Sequence, residues 1–314
     1  MKLSKGSKAI RSVAVISIVI TVMIVAGFRS NAEVKKEIEL SLVESDGTKV
    51  VFHKVPERIV VISYGTAIIM DALGIDPVGI ATTNRKLPEG LKGVTQVGIP
   101  MSPNMEEILQ LRPDLVILSS IFKAAQKKKF DDHGIVTYFI DNQRYTDTIA
   151  SVMMLGEFFA KRDEAEKIVA NIKTREEKVL KRVEGKTPPR VLIIFGTTQS
   201  FQMATRNSYC GYMVEMLGGI NIAGEIIDSA NSYLPLSIEN VVQQNPDIIL
   251  RITHGNWNMV EDSFKKEFDQ NELWNTVKAV KNKRVYDLDA NLFQANPGLE
   301  IIDALEYLGD ILYQ

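Results

Sequence analysis

Soft and borderline metal ligands are few in this chain of 314 residues: three histidines, one cysteine and eleven methionines. His254 follows an apolar run, residues 247–252, that reads as a buried strand. Its imidazole is therefore expected in the loop at the strand's carboxyl end, where open α/β sheets bind ligands, and imidazole suits iron, zinc or copper. The competing assignment is a loop histidine bonded to backbone. Met101 stands between Pro100 and Ser102-Pro103. Proline restricts the backbone on both sides, so the thioether is presented by a stiff turn. The ordinary alternative is a methionine packed in the core. His53, in a predicted hairpin, and His133, at a helix end before Gly134, lie away from both. That placement speaks against a zinc or manganese centre built from converging histidines and carboxylates. Cys210 is alone, which excludes an intrachain disulfide and a cysteine-rich zinc site. No G-x-S-x-G elbow, phosphate-binding G-x-x-x-x-G-K-[ST] loop or C-x-x-C pair is present, and no catalytic arrangement stands out.

Other residues suit a binding site rather than a reaction. Ser63-Tyr64-Gly65-Thr66 joins the first buried strand to its helix. A helix start offers free N–H groups and a favourable dipole to an anion, although a plain cap uses the same residues. Phe201, Met203, Tyr209, Trp257 and Met259 fall in predicted loops or helix starts of the second half and can supply apolar walls, or ordinary packing.

These residues need a scaffold to position them. Residues 37–55 read as a hairpin around Asp46-Gly47. From Arg58 onward, continuous apolar runs (59–62, 114–118, 136–140, 191–195, 247–250, 284–288) alternate with helical patterns. Such runs suit strands buried on both faces, hence parallel, doubly wound sheets. Residues 162–184 form a long polar helical pattern with a narrow stripe of Ala165, Ile168, Val169, Ile172, Val179 and Leu180, stopped by Gly185 and Pro188-Pro189. A helix this polar reads as a connector. An internal repeat lies on either side of it: NMEEILQLRPDLVI (104–117) and SIENVVQQNPDIIL (237–250), offset by 133. The expected fold is α/β, with two doubly wound lobes on central parallel sheets, one long rigid helix between them and a ligand cleft between the lobes. The expected segments are 33–160, the linker 161–187, and 188–314.

The first 32 residues stand apart. Lys2, Lys5, Lys8 and Arg11 precede an apolar stretch from Val13 to Phe28, the pattern of an export signal or N-terminal anchor. Val25-Ala26-Gly27-Phe28 has the form of a lipobox in which Phe28 replaces the acceptor cysteine. The whole chain carries 37 Lys/Arg against 39 Asp/Glu, and without residues 1–32 the balance becomes 32 against 39, or −7. No basic excess points to nucleic acid, and an acidic soluble domain outside the cytoplasm is expected.

Taken together, PERIVVIS, ALGIDPVGI, NMEEILQLRPDLVI, the midpoint helix and the second repeat resemble the ABC-transporter substrate-binding proteins whose lobes are joined by a single helix. That class carries siderophores, cobalamin and haem. VGIPMSPNME (97–106) and NPDIILRITHG (245–255) are similar to the haem-binding lipoproteins of Gram-positive haem uptake systems, the IsdE-like group. The resemblance implies no enzyme but a haem carrier for iron uptake at the outer face of the cytoplasmic membrane, anchored or secreted. It implies Met101 and His254 as axial iron ligands, haem as the transported ligand, and ABC permease and ATPase subunits as partners, with a surface haem donor upstream. On that reading Ser63–Thr66 face the haem propionates, and the five apolar residues wall the porphyrin. Glu106 and Glu239, equivalent in the repeat, dock on arginines of the permease, although acidic residues in a first helical turn also serve the helix dipole. The missing lipobox cysteine departs from that group. A siderophore or corrinoid carrier on the same scaffold, and a secreted metal-dependent α/β enzyme, are the competing readings.

Overall fold

The computed structural model describes residues 40–314 except Asp228, Asn256 and Gln294. The expected export segment, 1–32, lies outside the described residues. Among them, no helix is long and apolar enough to cross a membrane.

The hairpin forms as expected, with Leu40–Val43 antiparallel to Lys49–Phe52. Lys123 clamps its turn to the first lobe, donating to Glu44 and, at 2.6 Å, to Asp46. That lobe holds a five-stranded parallel sheet in the order Thr95–Gln96, Gly79–Ile80, Ile59–Ile62, Leu115–Ser119, Thr137–Ile140. Side chains alternate along the central strand. Ile59 and Val61 enter one core, and Val60 and Ile62 the opposite one. Two-sided burial explains the unbroken apolar run, because a polar residue at any of the four positions would be stranded away from water. Successive connections leave Ile59–Ile62 first on one side and then on the other. The switch point, between it and Leu115–Ser119, is where a doubly wound sheet opens a crevice. Hydrogen bonds tie the strand ends together there: Ser119 Oγ donates to Asn142, and Asn142 Nδ2 to Ser63 Oγ.

The second lobe departs from a purely parallel sheet. Ile220–Asn221, Arg190–Gly196, Ile248–Thr253 and Val285–Asp287 are parallel. Phe201–Ala204 and Tyr233–Pro235 add two antiparallel strands on one edge. The two faces again feed separate cores, Val191 and Ile193 one, Leu192 and Ile194 the other.

The repeat forms one joint built twice. Asn104 caps Met105–Gln110, and Ser237 caps Ile238–Gln244. Arg58 donates from Nε and Nη2 to the Leu111 carbonyl, and Arg190 does the same to Gln244. In return, the backbone N–H groups of Arg58 and Arg190 donate to the carboxylates of Asp114 and Asp247. The Pro-Asp of each copy thus locks the start of its strand to the neighbouring one, and the arginine satisfies carbonyls that a helix end leaves open.

The helix Arg162–Val183 spans both halves. Ala165 and Val169 pack in a first-lobe core, whereas Ile172, Val179 and Val183 pack in a second-lobe core. Gly156 permits this close approach, since a Cβ there would lie 2.4 Å from that of Ala165. The lobes also touch directly. A Cβ on Gly65 would meet the Gly298 nitrogen at 2.7 Å, and Asn296 Nδ2 donates to Thr148 Oγ1 at 2.8 Å.

Candidate functional site

Met101 occupies the tip of a short antiparallel hairpin, Gly98–Ile99 against Ser102–Pro103. This hairpin continues from the carboxyl end of the strand Thr95–Gln96. Gly98 is required: its φ is +88°, and a Cβ would lie 2.7 Å from the Ser102 carbonyl oxygen. Thr82 fastens the base, donating its N–H to Gly98 O at 2.8 Å and accepting from Gly98 N at 3.0 Å. Met101 itself is 67% exposed, so it is presented rather than packed.

His254 lies one residue beyond the strand Ile248–Thr253, in the loop predicted for it, and is exposed. Its N–H donates to Gly196 O at 2.9 Å. Its ring packs on Phe195 at 5.1 Å between centroids, and Phe195 packs on Tyr233 at 4.6 Å. An exposed imidazole with a supported ring is oriented yet open to a ligand. His53 and His133 are exposed elsewhere, and His133 Nδ1 lies 2.8 Å from the Lys129 carbonyl. Among the described residues, no three of His, Cys, Asp and Glu come together to hold a bare ion.

The loop Ser63–Thr66 forms a cap. Ser63 Oγ accepts from Thr66 N at 3.4 Å and Thr66 Oγ1 at 3.0 Å, Thr66 is buried, and Gly65 is covered by Gly298. An anion at this helix start meets Tyr64, the only one of the four that is not buried. A cation that sequence reasoning missed stands over it: the Arg85 guanidinium carbon is 4.0 Å from the Tyr64 ring centre. Arg85 Nη2 faces Glu300 Oε2 at 3.7 Å, and neither atom has a hydrogen-bond partner. The buried Tyr209 hydroxyl is also unpartnered, and burial pushes its phenol well above the ordinary value, so it remains a neutral donor. The Tyr64 phenol is raised too, by burial first and by Glu300, with Arg85 opposing. Donors left unpaired in a buried place are costly unless a ligand or water completes them. The one signal in the sequence was position, since Arg85 follows closely on the apolar Gly79–Ile80 segment.

The expected apolar walls divide. Met259 is 56% exposed at the start of the helix Trp257–Gln270. Trp257 opens that helix, with its side chain outside the described residues. Met203 is 1% exposed within a second-lobe core, so it packs the sheet rather than lining a cleft. Phe201 stacks on Phe264 at 4.6 Å and is half-buried against the same core. Both were expected in loops, but they lie in the antiparallel strand Phe201–Ala204, whose pairing turns them inward. Glu106 and Glu239 occupy the same place in their two helices and are exposed. Backbone N–H donation and the Ser237 hydroxyl lower the Glu239 carboxyl, which is therefore fully ionised near neutrality.

Residues 59–292 match the periplasmic binding protein family. Over 258 residues the chain is 33% identical to the high-affinity heme uptake system protein IsdE of Staphylococcus aureus, covering 82% of this chain and 87% of that one. Its fold is similar to the crystal structure of S. aureus IsdE complexed with heme, with a TM-score of 0.75 at 32% identity over 82% of this chain and 99% of that one. It is likewise similar to an ABC transporter substrate-binding protein from Listeria monocytogenes EGD-e, with a TM-score of 0.76 at 35% identity over 83% and 99%. Two α/β lobes on a shared helix, with open side chains beyond the carboxyl ends of their strands, agree with these likenesses: the chain belongs to the periplasmic binding protein family, as a substrate-binding protein of the ABC-transporter type.

Proposed function

We propose that this protein binds haem outside the cytoplasmic membrane and hands it to an ABC importer for iron acquisition. The observation that carries the reading is a soft thioether and an imidazole, Met101 and His254, each exposed just past the carboxyl end of a strand, one in each lobe. Such a pair ligates haem iron from opposite faces. The names of the S. aureus relative and of its solved complex support the same ligand. On this reading Met259 and the Phe195–Tyr233 pair supply apolar surface. Arg85 offers a guanidinium to a propionate, released from its long contact with Glu300. Residues 33–160 and 188–314 act as the lobes around the linker 161–187, and 1–32 direct export. Glu106 and Glu239 dock on basic residues of the permease, where paired carboxylates set register.

Haemin titrations with spectra test this. The wild type is expected to bind haemin in a low-spin, six-coordinate state. His254→Ala is expected to weaken ferric haem by on the order of 100-fold, about 2.7 kcal/mol. Thioether sulfur is a poor donor to ferric iron, so Met101→Ala is expected to change affinity by about 3-fold, near 0.65 kcal/mol, while shifting the bands toward high spin. Spectra unchanged in both variants would remove the two residues from the iron. A siderophore supplies its own iron ligands, so binding of an iron–siderophore complex with no haemin binding would replace the haem reading.

A further inference from the structure

We propose that Gln126 is a positioning residue that fixes the Met101 turn for iron ligation; this rests on the reading of Met101 as an axial ligand. Gln126 lies in the helix Lys123–Asp131 and is 5% exposed. Its amide Nε2 donates to the main-chain carbonyl oxygen of Met101 at 3.0 Å. A carbonyl oxygen can be met only by a donor, so the amide nitrogen, not its oxygen, faces the turn.

The need for such a tether follows from the geometry. Methionine has three rotatable bonds, and Met101, at 67% exposure, has little packing to restrict them. Whatever fixes the sulfur must therefore act on the backbone. Pro100 sets one φ, and Thr82 holds the hairpin at its base. Lys129 Nζ reaches Pro103 O at 3.4 Å from an exposed position. Gln126 acts at the tip, on the ligand-bearing residue itself, and does so from a buried place. A hydrogen bond shielded from water holds its geometry better than one that competes with solvent. Groups that orient metal ligands from behind are usually worth a further factor of affinity or activity. The opposite ligand is held differently, by ring packing on Phe195, so Gln126 supplies to the flexible side of the iron what an aromatic neighbour supplies to the rigid side.

The test uses the whole chain loaded with haemin. Gln126→Met removes the donor at nearly constant volume, and Gln126→Glu keeps the shape while placing an acceptor against the Met101 carbonyl. Both are expected to shift ferric spectra toward those of Met101→Ala and to lower haem affinity by no more than the about 3-fold expected for that variant. In a Met101→Ala background neither should change the spectrum further. Lys127→Ala, on the same helix, should behave as wild type. Melting of the ligand-free variants shows whether they are folded, and the folded one of the two suffices. A Met101→Ala spectrum that differs from wild type while the Gln126 variants do not would overturn the positioning role alone. A Met101→Ala spectrum identical to wild type would overturn both this proposal and the ligand assignment. An additional shift in the Met101→Ala background would mean that Gln126 acts on the pocket generally and not through the turn.

Discussion

The two lobes repeat their joints but not their chemistry. Arg58, Leu111 and Asp114 in the first lobe make the bonds that Arg190, Gln244 and Asp247 make in the second. Glu106 and Glu239 emerge from that duplicated part, at matching places. The residues proposed to ligate haem do not. Met101 stands ahead of the unit, on a hairpin that has no counterpart among the described residues of the second lobe, whereas His254 follows the end of the unit's own strand. On the proposed reading, the scaffold offers matched faces to a two-fold partner and an unsymmetrical pair of donors to one ligand. If so, the symmetric residues govern delivery and the unsymmetrical ones govern capture. The largest effect is expected there: reversing charge at Glu106 and Glu239 together should abolish uptake in cells and leave the haemin titration unchanged, because exposed charges act on association rather than on a separate pocket. A fall in haem affinity that matches the fall in uptake would break the division.

The arginines of the two joints differ too. Both leave helix-end carbonyls unsatisfied when removed, but their surroundings differ. Arg190 also bonds Gln244 Oε1 at 2.6 Å and pairs with Glu225 at 2.7 Å, in a part-buried setting, whereas the bonds of Arg58 are exposed. Arg190→Ala is expected to cost about 2 kcal/mol and Arg58→Ala about 1 kcal/mol, read from urea midpoints. Equal losses would show that water replaces neither or both.

The same contrast between local and distant determinants decides what the sequence could tell. The parallel strands were legible because both sheet faces bury them, which leaves the unbroken runs at 59–62 and 191–195. The linker was legible because its stripe is narrow and its ends carry Gly185 and two prolines. Phe201–Ala204 and Tyr233–Pro235 were not: both are too short to carry a run of their own, the first turning straight back on Ile194–Gly196 and the second joining it from far along the chain. Met203 therefore passed for a cleft residue. Arg85 and Gln126 escaped for a related reason: a single polar residue in a loop or on a helix acquires its role only from what the fold brings beside it, here Tyr64 with Glu300, and the Met101 carbonyl.

How the linker is held also differs between lobes. Toward the first lobe it is mainly close packing, Gly156 on Ala165, with one long, exposed pair of Arg162 and Glu157 at 3.6 Å. Toward the second it is charge as well: Arg175 reaches Glu306 at 2.6 Å and Asp303 at 2.5 Å, and Arg182 reaches Asp310 at 2.9 Å. The hydrogen bond from Arg175 holds the Glu306 carboxyl below its ordinary value, with burial opposing. A lowered folded value means that this contribution is complete above the unfolded carboxyl's pKa, roughly 4.3, and is lost as the pH falls through the folded value. Glu306→Gln should therefore lower stability near neutrality and flatten its decline in acid. Urea midpoints taken stepwise from neutrality into that range measure it, and parallel curves for variant and wild type would leave packing as the main tie on both sides.

The smallest effect lies at a position where the two copies of the joint differ by one residue. Each repeat helix ends in a left-handed residue directly before its Pro-Asp: Arg112 with φ +46° in the first lobe and Asn245 with φ +45° in the second. A side chain beyond Cβ is strained there, and asparagine tolerates the conformation because its short amide bonds locally. At Asn245 the amide oxygen instead reaches across the lobe and accepts from Lys278 N at 2.8 Å. Arg112 therefore carries a strain that an asparagine bears more easily. Arg112→Asn is expected to stabilise the protein by about 0.5 kcal/mol, less than the full cost of the conformation because asparagine at 112 has no equivalent of the Lys278 contact. Asn245→Arg should destabilise by more, about 1–2 kcal/mol, since it adds the strain and removes that bond. Paired denaturation curves decide it. Opposite signs with the larger change at 245 support the account, and a loss of stability in Arg112→Asn would mean that the arginine makes up for its strain in the folded lobe.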